Sequence, residues 1–147
     1  MLPAYCALTV AALFAGAAFY VSFAEQPARL GLDDRALLVE WKRAYARGLA
    51  MQAPLAIVGF ALGAMAWWLT WRHVFLIGAI LLLANWPWTI FVMMATNRAL
   101  MTTETHEISP NTRALIVKWN RLHTVRITLG VLAILAFLVG LSSNSNP

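Results

Sequence analysis

RALIVKWNRLHTVR, from Arg113 to Arg126, is the second copy of a segment that first occurs as RALLVEWKRAYARG, from Arg35 to Gly48. The copies start 78 residues apart (113 minus 35), and six residues recur in register, in the order Arg, Ala, Leu, Val, Trp and Arg. Each copy leads into a long apolar segment. This repeat indicates two versions of one unit, and the unit has the pattern of a membrane-spanning helical hairpin.

The composition is typical of a membrane protein. Of the 147 residues, 61% are apolar and 12% are charged, whereas soluble domains average about 25% charged residues. The single cysteine, Cys6, excludes an internal disulfide. The net charge of +5 comes from Lys and Arg that flank apolar segments. We therefore expect membrane lipid as a partner and no nucleic acid.

Four apolar segments predict four transmembrane helices, at about residues 2–24, 48–71, 74–95 and 125–141. The predicted fold class is an all-α membrane protein, a four transmembrane helix bundle made of two parallel-repeat helical hairpins. It forms a single domain with repeat halves at about 1–71 and 74–147. A cleaved signal peptide is a weaker alternative for the first segment, because the basic start that such a peptide needs is missing. The polar tail from Ser142 to Pro147 is expected to be disordered.

Two polar segments connect these spans. Gln26-Pro27 is expected to end the first span, and Asp33 or Asp34 to cap the helix that follows. The first repeat segment has an apolar face and a charged face, so we expect an amphipathic interfacial helix that turns into the bilayer near Gly48. Ser109-Pro110 is expected to start the second copy.

The placement of Lys and Arg predicts the orientation in the membrane. The two polar segments hold five each, and Arg72 is alone on the opposite side. Cytoplasmic loops carry an excess of basic residues. We therefore expect both large loops in the cytoplasm, both termini outside, and localisation in the bacterial inner (plasma) membrane.

Polar and small residues within the spans allow two interpretations. Pro87 leaves the Leu83 carbonyl without its helical donor, and Asn85 is expected to satisfy it, to bind a neighbouring helix, or to line a central pocket. Gly59 and Gly63 form a GxxxG pair, which allows another backbone to approach closely, and a ligand-sized gap is the weaker alternative.

Superposing the two halves predicts a pocket on the side of the polar segments. In the second copy an indole, an imidazole and a guanidinium share one helix face, because they lie at i, i+4 and i+7. The first copy offers aromatic rings at two of the equivalent places and Gly48 at the third, and the ends of spans one and three add a carboxylate and an amide. Rings and polar groups in this combination suit a flat apolar ligand that carries a phenol or a carbonyl. The pocket residues are Glu25, Trp41, Tyr45, Asn97, Trp119, His123 and Arg126.

Simpler interpretations of these residues stay open. Interfacial Trp is commonly a membrane anchor, His123 and Arg126 can contact lipid phosphate, and Glu25 can pair with Arg29. No metal site is predicted, since no HxxxH, CxxC or HExxH spacing occurs. Glu104 and His106 with His123 would make only a weak site.

Three stretches carry a family resemblance. They are FYVSFAEQPARL at 19–30, NWPWTIFVMMATNRAL at 85–100 and KWNRLHTVRITLG at 118–130. The pattern, from about Leu8 to Leu141, resembles the small four-span membrane family of unknown function that includes the anthrone oxygenases. The resemblance implies a membrane oxidoreductase that converts a lipophilic anthrone-like polycyclic phenol to a quinone with O₂ and without a cofactor.

The resemblance also assigns residue roles. It implies that His123 removes a proton, that Asn97 and Arg126 stabilise the resulting enolate or phenolate oxygen, and that Trp41 and Trp119 hold the rings. A non-catalytic membrane protein that binds a lipid, a quinone or a partner subunit is the alternative. In that case the Gly59/Gly63 face would be the contact surface, and a homo-oligomer is one such assembly.

Overall fold

The computed structural model describes residues 1–142 of the chain, and four long helices account for nearly all of them. Each is long and apolar enough to cross a membrane, so the predicted all-α four-helix membrane fold is confirmed. The protein is an integral membrane protein. Ser142 ends the last helix, and the rest of the predicted disordered tail, 143–147, lies outside the described residues. The helices are α1 (Leu2–Leu30), α2 (Asp34–Thr70), α3 (His73–Thr102) and α4 (Pro110–Ser142).

The helices form a closed bundle in which α1 and α3 each pack against both α2 and α4. Equivalent helices of the two repeats are therefore diagonal partners. Both polar loops lie at one end, where the Arg113 guanidinium donates to Asp34 and to the carbonyl oxygens of Leu30 and Leu32. The turn between α2 and α3 lies at the other end, and Trp71 there has a φ of 55°. We call these the loop end and the turn end.

The bundle core has two parts. Near the turn end, small residues on α1 and α2 pack against Phe75 and Phe137. Gly59 and Gly63 belong to this packing, since a Cβ added at Gly63 would lie 2.9 Å from the side chains of both Ala79 and Phe137. The expectation that the Gly59/Gly63 face contacts a partner is therefore wrong, because this chain already covers it.

The amphipathic repeat segments differ from the expected interfacial helices. Each continues without a turn into the following span, so that Asp34–Thr70 and Pro110–Ser142 are single helices. The reason is that their apolar faces are buried against each other rather than against lipid. Leu37, Leu38 and Trp41 of α2 form one cluster with Ile116 and Trp119 of α4.

Gln26-Pro27 does not end the first helix, contrary to the sequence prediction. Residues Val21–Glu25 form a turn of π-helix, and the Gln26 N–H donates to the Val21 carbonyl five residues back. Since a π-turn already changes the hydrogen-bond pattern, the missing N–H of Pro27 is tolerated there and helical structure continues to Leu30. A second π-turn, Thr89–Met93, follows Pro87 in α3.

Asn85 does not bond to the Leu83 carbonyl as expected. Its amide nitrogen donates to the carbonyl oxygens of Leu82 at 3.0 Å and Leu81 at 3.4 Å. The helix is interrupted at Ala84 and resumes at Asn85. The Asn85 side chain therefore bridges the interruption, while its own oxygen lacks a hydrogen-bond partner among the described residues.

Candidate functional site

A small polar cavity lies inside the bundle towards the loop end, with a volume of about 30 Å³. This is room for about two water-sized molecules. All four helices contribute to its wall, and most contributing side chains are polar or aromatic. The lining residues include Glu25 and Arg29 of α1, Tyr45 and Gln52 of α2, Thr89, Met93 and Asn97 of α3, and Trp119, His123 and Arg126 of α4.

Both π-turns face this cavity. Val21 and Glu25, the first and last residues of one turn, line it, as do Thr89 and Met93, the first and last residues of the other. A π-turn widens the helix locally and changes the direction of the side chains beyond it, and such turns occur frequently at functional sites. The two diagonal helices therefore use the same backbone irregularity to build opposite walls.

Aromatic rings form one side of the site and reproduce the sequence repeat. Trp41 stacks on Tyr45 with ring centroids 5.0 Å apart, and Trp119 stacks on His123 at 4.8 Å. The two tryptophans meet edge to face at 5.5 Å. Because the second member of each stack lines the cavity, the repeat places a phenol on one side of it and an imidazole on the other.

His123 is 3% exposed and has a defined polar partner. Its Nδ1 lies 3.1 Å from the hydroxyl oxygen of Ser22, which belongs to the π-turn of α1. The hydroxyl and the Trp119 stack hold the imidazole ring from two directions. The orientation of His123 therefore depends on α1 as well as on its own helix.

Arg126 is a buried cation, 7% exposed. Its guanidinium carbon lies 5.4 Å from the centre of the Phe14 ring, which is cation–π geometry. Within residues 1–142, no acidic side chain forms an ion pair with it. A buried charge without a counter-charge is costly, so this position favours a ligand with an anionic oxygen.

Further polar atoms at the cavity lack partners. Both side-chain polar atoms of Asn97, the Gln52 oxygen and the Arg126 Nε are buried, and none has a hydrogen-bond partner among the described residues. Since nearly all buried polar groups in folded proteins are satisfied by protein or water, these atoms are available to water or to a polar group of a ligand in the cavity.

Arg29 closes the loop end of the cavity. It is 3% exposed and forms ion pairs with Glu25 on its own helix and, at 2.8 Å, with Glu40 on α2. Glu25 is thus paired, as the simpler sequence interpretation expected. The two carboxylates more than balance the charge of Arg29, so Arg126 is the cation at the cavity that has no ion-pair partner among the described residues.

A larger apolar cavity of about 240 Å³ adjoins the polar one and shares Tyr45, Leu49, Thr89 and Arg126 with it. Cavities of about 150 Å³ lined by apolar residues bind benzene, so this space suits a larger ring system. Ala53, Ala56, Asn85, Trp86, Ile90 and Met94 complete its wall.

Comparison with known proteins decides the family. The chain matches the anthrone oxygenase family over residues 41–137. The chain belongs to this family. It is 30% identical to the anthrone oxygenase ptaC of Pestalotiopsis fici over an alignment of 112 residues. This alignment covers 65% of this chain and 78% of that protein. No solved structure matches the chain. The match to the anthrone oxygenase family confirms the resemblance found in the sequence and covers most of α2, all of α3 and most of α4.

The structure brings most of the predicted pocket residues of this family member together. Six line the polar cavity and Asn85 lines the apolar one, whereas Trp41 lines neither and lies behind Tyr45 and Trp119. Sequence reasoning did not include Ser22 or Gln52. Each is a polar residue within an apolar span, and that is the signal by which it could have been found.

His106 and His73 lie apart from this site. His106 is exposed in the loop between α3 and α4, and His73 is exposed at the turn end. The weak Glu104/His106/His123 metal site is not formed, since no group of three or more potential metal ligands occurs within the described part of the chain.

Proposed function

We propose that this protein oxidises a lipophilic anthrone or polycyclic phenol to a quinone with O₂. The observation that carries the proposal is the pairing of an apolar cavity that accommodates rings with a polar cavity that holds an unpaired buried cation. Arg126 lines both cavities. A ring system in the larger cavity thus places its oxygen near Arg126, with Asn97 as a second donor.

His123 is the proposed general base. When the Nδ1 proton is donated to the Ser22 oxygen, the lone pair of Nε2 is free to accept a proton from the ligand. The carbon between the two rings of an anthrone is acidic, because its anion is delocalised onto the ketone oxygen. Arg126 and Asn97 stabilise that oxygen as negative charge develops on it.

The oxidation then balances as follows. The carbanion transfers its electron pair to O₂, a C–O bond forms, and the proton held by His123 passes to the outer oxygen to give a hydroperoxide. Loss of one water from the hydroperoxide breaks the O–O bond and leaves a carbonyl at the former CH₂ carbon. One oxygen atom of O₂ ends in the quinone and the other in water.

The test is O₂ consumption by the purified protein in lipid nanodiscs with anthrone as the substrate. His123→Gln should lower the rate about 10² to 10⁴-fold, the usual contribution of a general base. His106→Gln is the matched control, since His106 is exposed in a loop, and its rate should equal that of the unaltered protein. Equal rates in both variants would remove His123 from the mechanism. If anthraquinone binds but the unaltered protein consumes no O₂, the protein binds quinones without oxidising anthrones.

We also propose that the loop end faces the cytoplasm and both termini lie outside, in a bacterial inner membrane. Support comes from the bundle, in which both basic segments lie at the loop end and Arg72 at the turn end. Reporter fusions at the C-terminus test this. A reporter that is active only in the cytoplasm should be inactive when it is fused to the C-terminus. Activity of this fusion would show the opposite orientation.

A further inference from the structure

A long groove runs along the outside of the bundle between α1 and α2. Its part near the loop end has a volume of about 870 Å³ and includes Tyr20, Arg43 and Arg47. Its part further towards the turn end has about 720 Å³ and is lined by apolar residues. Ala17 and Met51 line both parts, so the groove is continuous. Because Tyr20 and Met51 are exposed, the groove is open to the surroundings of the bundle.

The groove meets the polar cavity. Val21, Glu25, Ala44 and Gly48 line both spaces, so the groove and the cavity adjoin at these residues. Gly48 is the smallest of the four, and a Cβ added there would meet no atom within 4 Å. A side chain at this position would therefore extend into open space and not against a neighbouring helix.

The ion-pair network of Arg29 forms the remaining partition at this junction. Glu40 lines the groove, Arg29 lines the cavity, and Glu25 lines both. The Arg29 guanidinium bridges the two carboxylates and so links α1 to α2 across the boundary. A ligand that passes from the groove to the cavity moves beside this bridge.

We propose that the groove between α1 and α2 is the site where a membrane-dissolved aromatic molecule binds first and from which it reaches the cavity sideways. The inference rests on the proposed function for the identity of the ligand. The apolar part of the groove accepts an uncharged ring system, which loses its proton only after it arrives beside His123. The substrate class is accordingly an uncharged aromatic compound that partitions into the bilayer.

A second path would cross the outer wall of the apolar cavity between α2 and α3. Trp86 lies in that wall, and its indole N–H donates to the Ala53 carbonyl at 3.3 Å and so links α3 to α2. The α1–α2 groove is lined in part by Gly16 and Gly48, where added side chains meet open space. The groove is therefore the favoured route.

The experiment uses a small aromatic diazirine dissolved in the bilayer of nanodiscs that contain the full chain. Light converts the probe to a carbene, which labels whatever it contacts, and peptide mass spectrometry locates the label. Met93 is 1% exposed and lines the polar cavity, so label on Met93 reports arrival inside.

Ala17→Phe narrows the groove without touching the cavity wall, and Gly16→Phe is a second blocking variant at a position with open space. Ala61→Phe, on the exposed surface of α2, is the matched control.

In the unaltered protein and in Ala61→Phe, we expect label on Met93. In either blocking variant the rate of that labelling should fall about tenfold, within the range over which association rates vary among variants of one site. Labelling of Met93 that is equal in all four proteins, or absent from all while exposed residues are labelled, would overturn the route. Labelling does not require turnover, so a labelled cavity without O₂ consumption refutes the oxidation and leaves the route standing. Normal anthrone oxidation by both blocking variants refutes the route alone.

Discussion

Trp41 and Trp119 occupy the same position in the two sequence repeats, and their rings meet edge to face with the planes at 89°. Each tryptophan stacks on a ring one helical turn further along its own helix. The contact thus joins the two repeats at the loop end, directly behind the polar cavity. Edge-to-face pairs of this kind contribute about 0.5–1.5 kcal/mol beyond the area that they bury.

The two tryptophans should differ in their effect on ligand binding. Trp41→Leu and Trp119→Leu should each lower the free energy of unfolding by about 1 to 3 kcal/mol, because each removes a buried ring. Only Trp119 lines the cavity. Anthraquinone binding, measured by calorimetry, should therefore weaken in Trp119→Leu and stay unchanged in Trp41→Leu. Equal weakening in both variants would show that Trp119 acts only through packing.

Ser22 should act as a positioning residue for His123. Ser22→Ala removes the oxygen 3.1 Å from His123 Nδ1 and should lower kcat for anthrone oxidation about tenfold or more, since misplaced catalytic groups are costly. KM should change little, because Ser22 does not line either cavity. Ser22→Thr keeps the hydroxyl and should restore most of kcat. A rise in KM with unchanged kcat would contradict this role.

The buried Gln52 side chain should lower the free energy of unfolding of the ligand-free protein. Its side-chain oxygen is buried at the cavity without a hydrogen-bond partner in the described structure. Gln52→Leu should therefore raise the free energy of unfolding by about 1 to 3 kcal/mol, the penalty of such a group, and weaken binding of anthraquinone. Gln26→Leu is the matched control. The equally buried Gln26 amide donates to the Ile116 carbonyl at 3.3 Å, so this variant should be destabilised. If both variants lose stability, the Gln52 oxygen is satisfied.

Gly63→Ala and Gly16→Ala should have opposite effects on the thermal midpoint of unfolding. At Gly63 the new methyl group would lie 2.9 Å from the side chains of Ala79 and Phe137, and overpacking of this kind costs about 1–3 kcal/mol. At Gly16 it meets no atom within 4 Å, and alanine favours the helix. The oligomeric state, measured by light scattering, should not change in Gly63→Ala. A change would return the Gly59/Gly63 face to the role of a contact surface.

Asp33 should give the fold a measurable pH dependence. Its carboxylate accepts hydrogen bonds from the backbone N–H groups of Ala36 and Arg35 at 3.0 Å, and the bond from Ala36 is the main reason that the pKa of Asp33 lies below its usual value of 3.8. A lowered pKa means that the folded state binds the proton less readily than the unfolded state. The stabilisation by this cap is therefore complete above about pH 3.8 and is lost as the pH falls through the lower folded pKa.

Asp33→Ala should accordingly unfold at a lower temperature than the unaltered protein at pH 7. The difference between the two unfolding midpoints, the deficit, should be smaller at pH 3. Asp33→Asn keeps a capping oxygen that does not titrate. At pH 7 its unfolding midpoint should be close to that of the unaltered protein. A deficit of Asp33→Ala that is the same at both pH values would exclude the carboxylate as its source.

The sequence was sufficient for the membrane fold because four apolar segments and a repeat are long-range signals. The repeat also predicted that Tyr45 and His123 occupy equivalent positions, and the ends of spans one and three placed Glu25 and Asn97 on the same side as these residues. It could not show that the amphipathic faces cover each other, since the same pattern fits a helix lying on lipid. For the same reason Trp41 was predicted to touch the ligand, whereas Trp119 and Tyr45 lie between it and the cavity.

The π-turns were also invisible in the sequence. In a π-turn each backbone N–H donates to the carbonyl five residues back, whereas in an α-helix it donates to the carbonyl four residues back. No local residue pattern in Val21–Glu25 or Thr89–Met93 distinguishes these two arrangements. Gln52 and Ser22 were missed for a different reason. Each is a single polar residue in a long span, and only packing shows whether such a residue faces the interior.

The two π-turns have a consequence for how the helices can change in length. One π-turn corresponds to a single extra residue in an α-helix, and each residue advances the helix by about 100°. Deletion of one residue within Val21–Glu25 would therefore remove the extra residue and restore regular winding, while the helix on either side keeps its present register. A one-residue deletion inside either π-turn should thus leave the polar ends of α1 and α3 in their present orientation, whereas the same deletion in a regular part of either helix would rotate every residue beyond it by about 100°.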